Sequence, residues 1–231
     1  MKRLVIIFLV FLVIGIGFYL GYWHSVNKKA ELTNPLFRAV KNGDEHQIQS
    51  LLDKGVNINS KDKDGTTPLM RIAFDGNTTT VKYLLEKGAD VNLRNNFETT
   101  ALMNAASRPY SEGPAKDNNL EIVRMLVDHG VDINFKSKTG WTALTGAVQA
   151  NQTGIVLYLL EQGAEVNTQY APNGQTPLIM AVQRRNKAMV EALIAKGADV
   201  NVKDNSGRSV IQQAQGHPEI TELLKQAGAR M

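Results

Sequence analysis

Gly88-Ala89-Asp90-Val91-Asn92 is the stretch that decides the fold, because closely related copies of it recur along most of the chain. The copies begin at glycines 55, 88, 130, 163 and 197, and a truncated one begins at Gly228. Consecutive glycines are therefore 33, 42, 33, 34 and 31 residues apart. A repeat period near 33 residues predicts a solenoid of stacked supersecondary units and not a single globular core.

Each copy is predicted to end a helix. A leucine-rich segment precedes it, such as Leu84-Leu85-Glu86-Lys87 before Gly88. Glycine directly after a helix readily adopts the left-handed conformation that closes the helix C-terminus. Polar and apolar residues then alternate in Asp90-Val91-Asn92, so the valine is expected to point inward and the Asx side chains to bond nearby backbone groups. The phrase is interpreted as a structural element and not as a ligand motif.

The residues between two of these phrases specify one turn and two helices. Asp64-Gly65 indicates a turn, and Thr67-Pro68 supplies an N-cap followed by the first helical residue. Leu69, Ile72 and Ala73 then lie on one helix face. One period thus predicts a hairpin-like turn followed by two antiparallel helices.

These repeats resemble those of the ankyrin family, whose pattern runs Asp-x-x-Gly-x-Thr-Pro-Leu-His and ends in Gly-Ala-Asp-Val-Asn. The clearest internal copies are Thr67-Pro68-Leu69, Thr100-Ala101-Leu102, Thr142-Ala143-Leu144 and Thr176-Pro177-Leu178. The resemblance covers residues 34–229 and implies an all-α repeat solenoid over residues 34–230. Its repeats are expected to span residues 34–62, 63–95, 96–137, 138–171, 172–204 and 205–230.

Three departures from the family pattern lead to separate expectations. The family histidine that braces neighbouring turns is replaced, so its hydrogen-bond support is expected to be missing in every full repeat; the replacements are Met70, Met103, Thr145 and Ile179. Glu98 stands where the turn glycine belongs, which leaves the local turn geometry and the aim of Phe97 open. The third repeat carries an insertion within residues 107–119, which is either a functional loop or a tolerated one.

Residues 4–23 form an uncharged run in which 14 of 20 residues are Leu, Ile, Val or Phe. As a helix this run would be about 30 Å long, which matches the hydrocarbon core of a bilayer. We therefore predict a single transmembrane signal-anchor, with residues 1–3 in the cytoplasm and residues 24–33 as a tether. A cleavable signal peptide is the alternative. Gly17 and Gly21 have the spacing that permits a weak homodimer, although glycine is frequent in membrane helices.

The composition argues against an enzyme or a nucleic-acid-binding protein. The net charge is +4, and Lys and Arg are interleaved with Asp and Glu along the repeats. The densest basic segment, Arg184-Arg185-Asn186-Lys187, is interpreted as a solvated helix end in preference to a phosphate site. The chain has no cysteine, and its four histidines show no metal-ligand spacing. No phosphate loop or nucleophile motif is present. We therefore predict no catalysis, no metal, no cofactor and no nucleic-acid partner.

The resemblance implies that the concave face of the solenoid binds another protein, with contact residues next to the turns and at the ends of the first helices. The candidate contact residues, with Tyr110 from the long loop, are Lys63, Asp64, Thr66, Phe74, Asp75, Asn96, Phe97, Arg108, Tyr110, Lys138, Trp141, Gln149, Gln175 and Arg184. Trp141 is expected to contact the partner, whereas Phe74 and Phe97 are equally consistent with packing between turns.

The sequence as a whole predicts a binding module in the inner membrane of a bacterium, with its repeats on the periplasmic side. An immunity protein against a toxin, or a protector of an envelope enzyme, is the specific role we expect. The alternatives are a membrane scaffold that acts through its anchor and a cleaved, soluble periplasmic binder.

Overall fold

The computed structural model describes residues 35–108 and 118–230. The chain divides into two compact units, Met1–Val56 and Asn57–Met231. No helix within the described ranges has the length and apolarity needed to cross a bilayer. The predicted anchor at residues 4–23, with Gly17 and Gly21, lies outside the described residues, as do the tether and Tyr110.

The first unit contributes two described helices, α1 (Pro35–Asn42) and α2 (Glu45–Asp53). Helix α1 begins at a proline, whose missing N–H is not needed in the first turn. Asp44 caps α2, since its carboxylate accepts a hydrogen bond from the Gln47 N–H at 2.9 Å. These two helices correspond to the first predicted repeat.

The second unit contains ten described helices in five consecutive pairs. They are α3 (Pro68–Asp75) and α4 (Thr78–Glu86), α5 (Ala101–Ser107) and α6 (Asn118–Asp128), α7 (Ala143–Gln149) and α8 (Thr153–Glu161), α9 (Pro177–Gln183) and α10 (Lys187–Ala195), and α11 (Val210–Gln213) and α12 (Pro218–Gln226). The first helices of the pairs contact one another in chain order, and so do the second helices. The described residues form no β-strand, only two isolated bridges. The predicted all-α repeat solenoid is confirmed, whereas the exact repeat boundaries stay a prediction.

Apolar residues at equivalent positions of successive repeats form a continuous core. In the first helices these residues are Leu69, Leu102, Leu144 and Leu178, and in the second helices they are Leu84, Leu126, Leu159 and Leu193. Each is at most 1% exposed. Full burial of one such side chain stabilises the fold by roughly 1.5 to 3 kcal/mol, so stacking of neighbouring repeats is the main source of stability.

Threonine begins each of the four longest first helices of this unit. Thr67 is the N-cap of α3, and its hydroxyl accepts a hydrogen bond from the Met70 N–H at 3.2 Å. Thr100, Thr142 and Thr176 cap α5, α7 and α9 in the same way. A cap of this kind contributes about 1 kcal/mol, so the repeated threonine fixes where the helices start.

In two repeats, the residue that stands in place of the family histidine forms hydrogen bonds within its own repeat; the expected loss of bracing between neighbouring turns stays a prediction. The Met70 sulfur accepts a hydrogen bond from the Thr67 N–H at 3.5 Å. The Thr145 hydroxyl accepts one from the Thr142 N–H and donates one to the Thr142 carbonyl, both at 2.8 Å. Different side chains therefore meet the same buried backbone groups, because an unpaired buried N–H is costly.

The repeated glycine ends the second helix of each pair, as predicted. Gly88 follows the C-cap residue Lys87 of α4 and has a φ of 81°, and the copies of the phrase share this conformation. A side chain would be strained at that angle, which explains why glycine recurs there.

Candidate functional site

The asparagine that closes each phrase links one repeat to the next. The Asn92 side-chain oxygen accepts a hydrogen bond from the Asp132 N–H at 2.8 Å, while its amide group donates to the Gly130 carbonyl at 3.2 Å. Asn134, Asn167 and Asn201 repeat this pair of bonds with the following phrase. These side chains form an amide ladder that holds the repeats at a fixed spacing.

From the sequence, only local hydrogen bonds are expected for the Asx side chains of the phrase. That prediction is correct for the third residue of the phrase, since the Asp90 carboxylate accepts a hydrogen bond from the Asn92 N–H at 2.8 Å. The prediction does not include the bonds that the fifth residue, asparagine, forms with the next repeat. The available signal was that the fifth residue is always Asn, whereas the third is Asn57, Asp90 or Glu165.

The turns that precede the first helices are also tied together. Within one turn, the Asp62 carboxylate accepts hydrogen bonds from the N–H groups of Asp64 and Thr66, both at 2.9 Å. Between turns, the Asp64 carbonyl accepts a hydrogen bond from the Asn96 N–H at 2.9 Å. Equivalent backbone bonds join Thr139 to Ala171 and Asn173 to Asn205. The turns are therefore linked to one another by hydrogen bonds.

Glycine in a turn lets the next turn approach closely. A Cβ atom at Gly65 would lie 3.0 Å from the Asn96 nitrogen, and φ is 74°. At the equivalent position, Glu98 keeps the turn geometry with a φ of 57°. Its carboxylate accepts a hydrogen bond from the Lys138 N–H at 2.7 Å, where the other turns use a carbonyl. At Glu98 the turn geometry is therefore kept, and a side chain replaces the backbone link to the next turn.

Phe97 is the aromatic residue that the turns expose, with 50% of its surface accessible. Asn96 in the same turn and Lys63 and Lys138 in the neighbouring turns are also exposed, whereas Asp64 is half-buried. We call Lys63, Asn96, Phe97 and Lys138 the turn row. This surface combines one apolar side chain with polar and cationic neighbours.

Trp141 and Thr66 do not occupy the positions expected of contact residues. Trp141 is half-buried, and its ring packs edge to face on Tyr170 of the next turn with centroids 5.0 Å apart. Packing between turns, the alternative to partner contact, therefore describes Trp141 better. Thr66 is only 2% exposed, so its side chain does not reach the surface. Its burial follows from its place directly before the N-cap Thr67.

The ends of the first helices form a second accessible region. Asp75, Gln149 and Arg184 are exposed there, whereas Phe74 is half-buried. Gln175 donates a hydrogen bond to the Gln183 side-chain oxygen at 2.8 Å. Gln183 in turn donates a hydrogen bond to the Gln213 side-chain oxygen, and Gln213 lies outside the predicted contact set. This chain of amides fixes the orientation of Gln175.

Arg108 forms hydrogen bonds within the protein through both its side chain and its carbonyl. Its guanidinium group donates a hydrogen bond to the Asn119 side chain at 2.9 Å, and its carbonyl accepts one from Gln152 at 2.9 Å. The guanidinium group also lies against Gly76, where a Cβ atom would collide with it. Arg108 therefore bridges three repeats and is held in a fixed orientation.

The described residues contain no group of three His, Asp or Glu side chains that could hold a metal ion. Burial raises the pKa of Tyr158, and Asp128 raises it further, so the hydroxyl stays protonated at neutral pH. The Arg124 guanidinium carbon lies 4.3 Å from the centre of the Tyr158 ring. This pair is a cation–π contact between second helices and not a proton-transfer group.

The fold and this surface define a helical repeat protein of the class that typically acts as a non-enzymatic binding scaffold. The chain belongs to the ankyrin repeat family: the family model described as ankyrin repeats (3 copies) matches residues 33–113, 114–170 and 167–231. The predicted resemblance is thereby confirmed.

One solved structure with the same fold is the 1.00 Å crystal structure of an ankyrin repeat domain from Acinetobacter baumannii AYE. It is 30% identical to this chain, with a TM-score of 0.74, and the match covers 85% of this chain and 98% of that one. The comparison with curated proteins found no match.

Proposed function

We propose that this chain is a non-catalytic binding module that holds a protein partner on the turn row and the exposed ends of the first helices. The single observation that carries this proposal is Phe97, a large apolar side chain that is 50% exposed. Aromatic side chains dominate the energetics of protein interfaces when they are buried at the centre of the contact. An exposed Phe within a polar, cationic row is suited to that role.

The rigidity of the turn supports the proposal. The Asn95 side chain accepts a hydrogen bond from the Phe97 N–H at 3.0 Å, and the Asn96 amide donates to the Lys63 carbonyl at 3.3 Å. Because the backbone around Phe97 is already ordered, little conformational entropy is lost when a partner covers it. The turn row is thus a preorganised surface.

The sequence supports a location for this module. Residues 4–23 have the length and apolarity of a membrane anchor, and we propose that they hold the repeats on the periplasmic side of the inner membrane. In that position the module inhibits a toxin as an immunity protein or protects an envelope enzyme. Both roles need stable binding to one protein and no chemistry by the chain itself.

Co-purification of the full chain from membranes, followed by identification of the bound protein, tests the proposal. Once the partner is known, Phe97→Ala is expected to weaken binding by about 2 kcal/mol, which is about 30-fold. Leu157→Ala is the matched control, because Leu157 is 41% exposed on a second helix. We expect it to change the affinity less than twofold. Absence of a stoichiometric partner, or equal effects of the two substitutions, would contradict the proposal.

A membrane scaffold is the second candidate, and the observation that favours it is the spacing of Gly17 and Gly21. Deletion of residues 1–23 separates the two functions. A deletion variant that still neutralises or protects its partner supports the binding module. Complete loss of function with normal partner affinity supports the scaffold. The mass of the mature chain decides whether the segment is cleaved to release a soluble periplasmic protein.

A further inference from the structure

A groove of about 290 Å³ lies between the last two repeats. On one side is the end of the loop that joins α9 to α10 with the start of α10, and on the other side is the start of α12. The lining residues are Arg185, Lys187, His217, Pro218, Glu219 and Ile220. The groove is therefore built by neighbouring repeats and exists only when they are stacked.

The groove carries a surplus of positive charge. Arg185 is exposed, and among the described residues no side chain forms an ion pair or hydrogen bond with its guanidinium group. Lys187 lies 3.2 Å from the Glu219 carboxylate, but both side chains are largely exposed, so this pair is weak. The Arg185 guanidinium group thus remains available to an anion from solution.

Arg185 occupies its position at a cost in stability. Its φ is 57°, a conformation that glycine adopts freely and that most other residues avoid. The corresponding loops of other repeats carry Gly76, Asn151 and Gly216 at this conformation. Asn tolerates it, and the Asn151 side chain also accepts a hydrogen bond from Asn186 at 2.9 Å.

Arg185 also differs from Glu98, the other charged residue with a positive φ in the described chain. The Glu98 carboxylate bonds the Lys138 N–H, so its side chain contributes to the stack. No such contact compensates for Arg185 within the described residues. Residues with a strained backbone that no intramolecular contact stabilises are found preferentially at ligand-binding sites.

We propose that this groove binds a carboxylate side chain from an acidic segment of the protein partner, with Arg185 as the principal contact. The inference rests on the proposed binding function and adds a site distinct from the turn row. Guanidinium groups pair with carboxylates through two parallel hydrogen bonds, and Lys187 and His217 supply further donors. The Glu219 carboxylate at the rim opposes a dianionic phosphate more strongly than a singly charged carboxylate.

The test uses the full chain in detergent and a fluorescein-labelled hexaglutamate peptide, with binding measured by fluorescence anisotropy at low ionic strength. Arg185→Gly is expected to weaken binding at least fivefold and to raise the thermal unfolding midpoint, because glycine fits the backbone. Lys82→Gln is the matched control, since it removes one exposed positive charge from α4. We expect its affinity to stay within twofold of the wild type.

Glu219→Gln is expected to change the affinity for hexaglutamate in the opposite direction to Arg185→Gly. Loss of the rim carboxylate frees Lys187 and is expected to tighten hexaglutamate binding about two- to threefold. The proposal is overturned if Arg185→Gly binds as tightly as the wild type, or if Lys82→Gln weakens binding to the same extent. Tighter binding of a single-stranded oligonucleotide or a phosphoserine peptide than of hexaglutamate overturns it as well.

The two proposals fail in different ways. Phe97→Ala is expected to leave hexaglutamate binding unchanged, because the turn row is not part of the groove. A normal response of the groove variants, with no effect of Phe97→Ala on the partner, would reject the turn row alone. The reverse result would reject the groove alone.

Discussion

At Glu98 the third repeat places a charged side chain where the neighbouring turns carry glycine. The left-handed backbone costs a non-glycine residue roughly 1 to 2 kcal/mol. The hydrogen bond from the Lys138 N–H to the carboxylate offsets part of that cost. The side-chain nitrogen of Lys138 lies 3.7 Å from the same carboxylate and is largely exposed, so it adds little.

Two substitutions at Glu98 separate backbone strain from the hydrogen bond. Glu98→Ala keeps the strain and loses the bond, whereas Glu98→Gly loses both. We expect the Gly variant to be more stable than the Ala variant by about 1 kcal/mol, because only glycine relieves the strained φ. Urea unfolding monitored by circular dichroism measures the difference. Equal midpoints would show that φ at this position carries no strain.

Trp141 and Phe97 are both aromatic residues near turns, but the structure gives them different roles. Trp141→Ala is expected to destabilise the fold by about 2 kcal/mol, because its ring packs on Tyr170. Phe97→Ala is expected to change stability by less than about 0.5 kcal/mol, because half of its surface is exposed. Thermal or urea unfolding of both variants checks this. A larger loss for Phe97→Ala would mean that Phe97 serves packing.

Among the elements, the amide ladder is a repeating hydrogen-bonded link between helix pairs. Each asparagine joins the end of one second helix to the end of the next through two hydrogen bonds. These bonds are exposed, so each contributes modestly, but the ladder runs along the stack. It explains why the phrase ends with the same residue in every complete copy.

Asn134→Ala removes two hydrogen bonds between the third and fourth phrases. We expect the variant to lose about 1 to 2 kcal/mol of stability. Gln162→Ala is the control, because Gln162 is an exposed helix-end residue and substitutions of that kind change stability by less than about 0.5 kcal/mol. Chemical denaturation of the two variants and the wild type provides the comparison. Equal stability of the two variants would mean that the amide ladder does not contribute measurably to the stability of the fold.

At the scale of the whole molecule, each repeat buries its apolar residues only with the help of its neighbours. The last helix pair illustrates this, since it contributes Val210, Ile220 and Leu224 to the core at 4% exposure or less. Its removal leaves the apolar faces of α9 and α10 without their cover.

A chain truncated after residue 204 is therefore expected to lose roughly 2 to 5 kcal/mol of stability. The thermal unfolding midpoint of the truncated and full-length chains measures this loss. Removal of only Met231 is the control, because it leaves α12 and the two ladder bonds of Asn201 in place. An unchanged midpoint after the larger truncation would mean that the last pair is not part of the cooperative core.

The sequence alone determined the fold, because the features that encode it are local and repeated. The glycine at each helix end, the threonine at each helix start and the leucines on one helix face each act within a few residues. Their recurrence at one period makes the stacking of repeats a necessary consequence, since a single pair buries too little surface.

Only the tertiary structure decided which side chains face solvent and which join two repeats. Trp141 and Phe97 have similar sequence contexts, but Trp141 packs on Tyr170 about one repeat further along the chain. The ladder asparagines, Glu98 and the groove around Arg185 likewise depend on residues roughly one repeat away. Such contacts are set by the distance and orientation between stacked repeats, and a local sequence pattern does not encode them.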